Sequence, residues 1–388
     1  MAQNALNRIF LCRSCRDHLQ TLKHQSRTFV STPQRAKSVY RCSPIPHVHS
    51  ANIGPVIPSF KPTSSPELDE LLLTYRTKVF TPHALQKYHR DLIYKPSRHQ
   101  ILLNDPGVTV TLSNDEEVKL MPMDPHDKPN KKKSLILLAK LLESSSDLRD
   151  WNNLPPFLEG MVMAKEKLPD GWLQKMVRKA NERGRSGVII RCAEMVKKTG
   201  VTFADQHVAE EMMLGCHIRA ARANWRGDDA EKAMKQAERV ALMMEAQGHC
   251  GGALKKGQED MRKSPMVIGV LLELAAARAL DANEGKDVDG KVIRYAQNGL
   301  VLCERTSFEP GKDHIEAASM LERSLPLWAG LKMAQKVDEI QQGTLASNLR
   351  EQAGKLERAI NEAKGQVEEQ AKGKPRRCIN MYNEVSSV

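Results

Sequence analysis

Cations at helical spacing are the residues of this chain best placed to do chemistry. Lys175, Arg178, Lys179 and Arg183 recur every three or four positions, opposite Leu173, Met176, Val177 and Ala180. That spacing puts four positive side chains on one face of a helix, where they could meet the phosphates of a nucleic acid. A solvated helix face is the bland alternative, and the spacing fits both. Two compact clusters add to the set: Lys131-Lys132-Lys133, and Lys374, Arg376 and Arg377 around Pro375. Both flank predicted helices, where they suit either contact with rRNA or simple solubility.

Other chemistries find little footing. The chain has no GxxxxGKS/T to cradle phosphate, no GxGxxG after a strand, no HExxH and no GxSxG. His207 and Glu211 are an i, i+4 pair beside Glu210 and His217, which falls short of a metal ligand set. His47, His49, His83, His89, His99 and His126 crowd the N-terminal third without pairing on a helix face. Cys12 and Cys15 form a CxxC, but Cys42, Cys192, Cys216, Cys250, Cys303 and Cys378 are scattered. The expectation is a non-enzyme with no cofactor, no metal and no small-molecule substrate.

The net charge of +12 over 388 residues suggests a polyanionic partner. Its distribution narrows that inference. Nine Lys or Arg against Asp17 alone put +8 in the first 66 residues, which leaves the rest only mildly basic. In residues 1–29, Arg8, Arg13, Arg16, Lys23 and Arg27 alternate with Leu6, Ile9, Phe10, Leu19 and Leu22. An Arg-rich, acid-poor amphipathic leader is the pattern of a mitochondrial presequence. Arg27-Thr28-Phe29 before Val30-Ser31 resembles a matrix-processing site, so a mitochondrial matrix location is expected, and Cys12 and Cys15 would leave with the leader. Seven prolines between Pro33 and Pro66 make residues 30–66 an extended arm.

The elements that must position these cations are helical. Phe, Tyr and Trp total only 17 residues, too few for a β-sandwich core, while Ala, Leu, Lys, Glu and 17 Met favour helices. The most apolar stretch, Pro265 to Leu280, is interrupted by Glu273 and Arg278, so no transmembrane segment is expected. Residues 67–130 read as a small α+β module. It comprises a helix over 67–79, another from Thr81-Pro82 through Tyr94, and a hairpin pairing Gln100–Leu103 with Val108–Leu112 across Asn104-Asp105-Pro106-Gly107. Val118–Met121 is a candidate third strand. Residues 131–330 read as helical hairpins, 331–372 as one long C-terminal helix and 373–388 as a basic tail. Leu349, Ala353, Leu356, Ile360, Ala363 and Val367 make a short heptad-like seam, to be buried on the chain's own body or in a coiled coil.

Two antiparallel helices every 30 to 40 residues is the pattern of an α-solenoid. Residues 171–205, GWLQKMVRKANERGRSGVIIRCAEMVKKTGVTFAD, carry a first helix ending Lys-Ala-x-x-x-Gly and a second ending Met-x-Lys-x-x-Gly-Val. Gly184 and Gly200 lie sixteen apart. This segment resembles a pentatricopeptide repeat, with Ile189 and Phe203 departing from the family's small residue and late proline; tetratricopeptide hairpins look similar. The resemblance implies a mainly α, solenoid-like fold whose first helices line a groove. Together with the leader it implies an interaction protein of mitochondrial gene expression, bound to the mitochondrial ribosome, to RNA, or to other matrix proteins. The alternative is a protein-binding scaffold or assembly factor for a respiratory complex, without RNA.

Overall fold

The computed structural model describes residues 56–104, 107–111, 116–252, 259–341, 343–371 and 376–386. The expected presequence, residues 30–55 of the proline-rich arm, and Lys374 lie outside them. The described chain is mainly helical, and its Cα packing divides it into two units. One comprises the chain up to Leu138 together with Pro156–Lys167; the other comprises Ala139–Pro155 and Leu168 onward.

In the first unit, α1 (Pro66–Tyr75) starts where the Ser65 side chain accepts from the Leu68 amide and proline fills the first helical position. It buries Leu68, Leu71, Leu72 and Tyr75 and runs on through a π-type turn, Arg76–Phe80. Then follow α2 (Thr81–Ala84), α3 (Lys87–Tyr94) and α4 (His99–Leu103). Strands β1 (Thr109–Thr111) and β2 (Glu117–Lys119) pair antiparallel, with Val110 opposite Val118. The hairpin is therefore displaced from its expected position. Gln100–Leu103 is helical because the turn Pro96–Arg98 feeds directly into it and Leu102 completes the cluster of Leu85, Leu92, Ile93 and Leu120. Helix α5 (Lys131–Ser144) belongs to this unit through Leu138 and α7 (Leu154–Met163) from Pro156, while the short α6 (Leu148–Trp151) belongs to the second. Phe157 of α7 packs against Tyr75 and Phe80, with ring centroids 5.0 and 5.9 Å apart, and Gly160 leaves the Phe80 ring its space. That aromatic cluster carries the first core past residue 130, where the sequence suggested the module would end.

The second unit is built of helix pairs. Helix α8 (Trp172–Glu182) buries Met176, Val177 and Ala180 of the apolar stripe read from sequence, with Trp172 buried in place of Leu173, which is half-buried. Its partner is interrupted at Met195 into α9 (Ser186–Glu194) and α10 (Val196–Thr199). Gly184 and Gly200 end their helices at φ of +66° and +72°, the left-handed conformation that glycine adopts without steric cost. Helices α11 (Gln206–Arg222, capped by Asp205) and α12 (Gly227–Met244) form the next pair, and α13 (Pro265–Asp281) and α14 (Lys291–Arg305) the one after. Helix α13 is buried on nearly every side, which is why its sequence is almost uniformly apolar. No helix among the described residues is long and apolar enough to cross a membrane.

Helix α15 (His314–Ala334) packs along α13. The long C-terminal helix expected from residue 331 begins only at Thr344. Residues 335–341 hold the short α16 (Asp338–Gln341) and are pinned to a loop. The Asp338 amide donates to the Gly285 carbonyl, and the Asp287 amide donates to Glu339. Helix α17 (Thr344–Ala371) buries Leu349, Ala353, Leu356, Ile360, Ala363 and Val367 and packs on α15, so the seam is used within the chain. Helix α18 (Arg377–Ser386) packs on α15 and α11 through Cys378, Met381 and Val385.

Candidate nucleic-acid interface

Helices α8 and α11 lie side by side because each offers a small or apolar face to the other. Asn181 reaches across to donate to the Glu211 carbonyl at 2.8 Å, passing over Gly215, where a β-carbon would sit 2.2 Å from the Asn181 side chain. Helix α18 closes one side of this pair. Between them lies a cavity of about 700 Å³. Its cations are Arg178 and Lys179 from α8, Arg219 and Arg222 from α11, and Arg377 from α18. Glu143, Glu182, Glu211, Asp229 and Glu384 line it too, so the cavity is mixed in charge rather than uniformly basic.

Hydrogen bonding sorts these cations into two groups. Arg377 is committed internally: its guanidinium meets Glu211 at 2.7 Å and grips Glu322 through two bonds of 3.0 and 2.6 Å. Burial pushes the Glu211 carboxyl upward against the pull of Arg377, while the two carboxylates hold Arg377 charged. Glu210, next in sequence, pairs with Arg323 of α15 at 3.0 Å. The acidic pair that resembled part of a metal site thus anchors two helices. Lys179 is paired with Glu143, whose carboxyl is held below its ordinary range by that bond. Arg178, Arg183 and Arg222 have no ion pair among the described residues, and all three are exposed with Lys175.

The structure therefore brings together part of the set read from sequence. Lys175, Arg178 and Lys179 lie on α8 and Arg183 is its C-cap; of the four, Arg178 and Lys179 line the cavity. Arg377 joins them at the cavity only as a strut, and Arg376 is half-buried beside it. Lys131, Lys132 and Lys133 belong to the first unit, where Lys131 pairs with Glu166 at 3.1 Å. Arg219 and Arg222 escape a reading of the sequence because Glu210 and Glu211 on α11 and its cap Asp205 mix acids with them. Only the fold shows that those acids turn inward or cap, while the arginines line the cavity.

A helical-hairpin body with outward cations on one helix pair defines a scaffold that works by docking within an assembly. The comparison with known proteins is more specific. A sequence model of the mitochondrial ribosomal protein mS27 family matches residues 48–384, and the chain belongs to that family. It is also similar to the small ribosomal subunit protein mS27 of Neurospora crassa, with 28% identity over 302 residues, 74% of this chain and 71% of the relative. Of the two functions read from sequence, family membership carries the first: a mitochondrial matrix protein of gene expression that works on the mitochondrial ribosome.

Proposed function

We propose that this chain is a structural, non-catalytic component of the small subunit of the mitochondrial ribosome, and that α8 and α11 present its rRNA-contacting face. The carrying observation is the family match over residues 48–384. Contact falls to Lys175 and Arg178 on α8 and Arg183 at its C-cap, with Arg219 and Arg222 on α11. These first helices of adjacent hairpins stand where a pentatricopeptide-like solenoid would hold RNA, and the two left-handed turn glycines at 184 and 200 support that finer resemblance. Lys132, Lys133, Arg376 and Lys374 are secondary phosphate contacts. Arg377, Lys179 and Lys131 serve internal ion pairs first.

Tagged chain in a mitochondrial lysate should co-sediment with the small subunit through a gradient. The double variant Arg178→Glu/Arg222→Glu should shift towards the top while keeping its helix content. A variant that sediments like the unaltered chain removes this face from the interface. On free RNA each lost phosphate contact should lower the slope of log affinity against log salt by about 0.7 to 0.9.

A further inference from the structure

We propose that Tyr88, on the outer face of α3 in the first unit, is a stacking platform for an unpaired nucleotide of single-stranded RNA. Leu92 and Ile93 bury the inner face of α3, whereas Tyr88 is 59% exposed, so the fold does not need this ring. Yet the ring is held. The Arg98 guanidinium lies 6.0 Å from its centroid, and His89 meets it edge-on at 5.5 Å. A guanidinium over an aromatic face is a modest attraction that orients both groups.

The charge along this segment is one-sided. Residues 83–103 carry Lys87, Arg90, Lys95 and Arg98 against a single acid, Asp91. Lys95 takes that carboxylate at 3.0 Å. Lys87, Arg90 and Arg98 are left without an ion pair among the described residues. An exposed aromatic ring with Arg98 over one face, on a helix that also carries Lys87 and Arg90, is the donor set that single-stranded nucleic acid uses, with a base on the ring and phosphates on the cations. Double-stranded RNA keeps its bases stacked inside the helix and cannot offer one. This surface belongs to the first unit and shares no residue with the α8–α11 face, so it stands or falls separately.

The test uses the full chain, a fluorescein-labelled oligouridylate, an RNA duplex of equal length and oligoglutamate. Tyr88→Ala should weaken oligouridylate binding by about 5- to 150-fold, the range of one lost base stack, without changing the salt slope. Duplex binding should stay the same, and Tyr88→Phe should restore single-strand affinity. Arg98→Gln should reduce the single-strand salt slope by about 0.7. Single-strand binding by Tyr88→Ala as tight as the unaltered chain would overturn the proposal. So would an equal loss on the duplex, or oligoglutamate binding with the same dependence on Tyr88. If Tyr88→Ala is silent while Arg178→Glu/Arg222→Glu weakens binding, the platform fails and the α8–α11 face survives.

Discussion

At the scale of single residues, the second unit is specified by polar groups buried in its apolar helices. Glu273 lies on α13, fully buried, and its carboxylate pairs with His217 of α11, also fully buried, whose Nδ1 stands 2.8 Å from one carboxylate oxygen. Burial pushes the Glu273 carboxyl upward and the imidazole pulls it back. Removing the imidazole leaves a fully buried carboxyl without its partner, so His217→Ala should cost about 3–5 kcal/mol in urea unfolding. The apolar double variant His217→Met/Glu273→Leu should lose far less, because no buried polar group then needs a partner; equal losses would mean the pair is not the reason. His249 makes the complementary case. Its Nδ1 accepts from the Phe203 amide at 3.0 Å and its ring stacks on Phe203, and burial lowers its pKa against the opposing pull of a backbone hydrogen bond to Ala193. The unfolded chain then binds the extra proton, so stability is complete above about pH 6.5 and falls as pH drops below it. Melting curves at pH 7.5 and 5.5 should show the fall, and His249→Gln should flatten it. Sequence gave no sign of either pair, since 56 positions separate His217 from Glu273 and 46 separate His249 from Phe203.

At the scale of elements, close helix contact depends on small residues whose role is invisible until the partner is known. A β-carbon at Gly269 of α13 would stand 2.4 Å from the Leu327 amide nitrogen of α15, and one at Gly330 would stand 2.9 Å from the Glu273 amide nitrogen. Both obstacles are backbone, so neither can swing away. Gly269→Ala should therefore destabilise by about 1–3 kcal/mol despite its better helix propensity, read as a lower denaturation midpoint. A more stable variant would mean the two helices can part at no cost. Long amphipathic helices such as α8 and α17 were legible from their apolar periods. The short run Ile101-Leu102-Leu103 was not, because three apolar residues fit a strand and a helix turn equally well, and packing beside Ile93 decided between them.

At the scale of the whole molecule, charge separates into cations that hold helices together and cations that face outward. Arg377 is the clearest strut: it ties α18 to Glu211, which is only 4% exposed, and to Glu322. Nearby Tyr382 stacks on Trp328 at 6.0 Å, with Lys332 and Lys364 over the two rings. Arg377→Ala should raise amide exchange along α18 and cost about 1–3 kcal/mol, with little change in the salt dependence of RNA binding. A reduced salt slope without faster exchange would make Arg377 an RNA contact instead. Sequence by itself determined the mainly helical class, the apolar faces of the long helices and the turn glycines of the repeat-like hairpin. These follow from local periodicity and backbone preference, which need no knowledge of neighbours. Tertiary structure alone decided which of many Lys and Arg are committed, that Arg219 and Arg222 join Arg178 at one cavity, and that the α17 seam is filled by α15. A side chain's charge is local, but its partner comes from wherever the fold brings another chain segment within hydrogen-bonding distance.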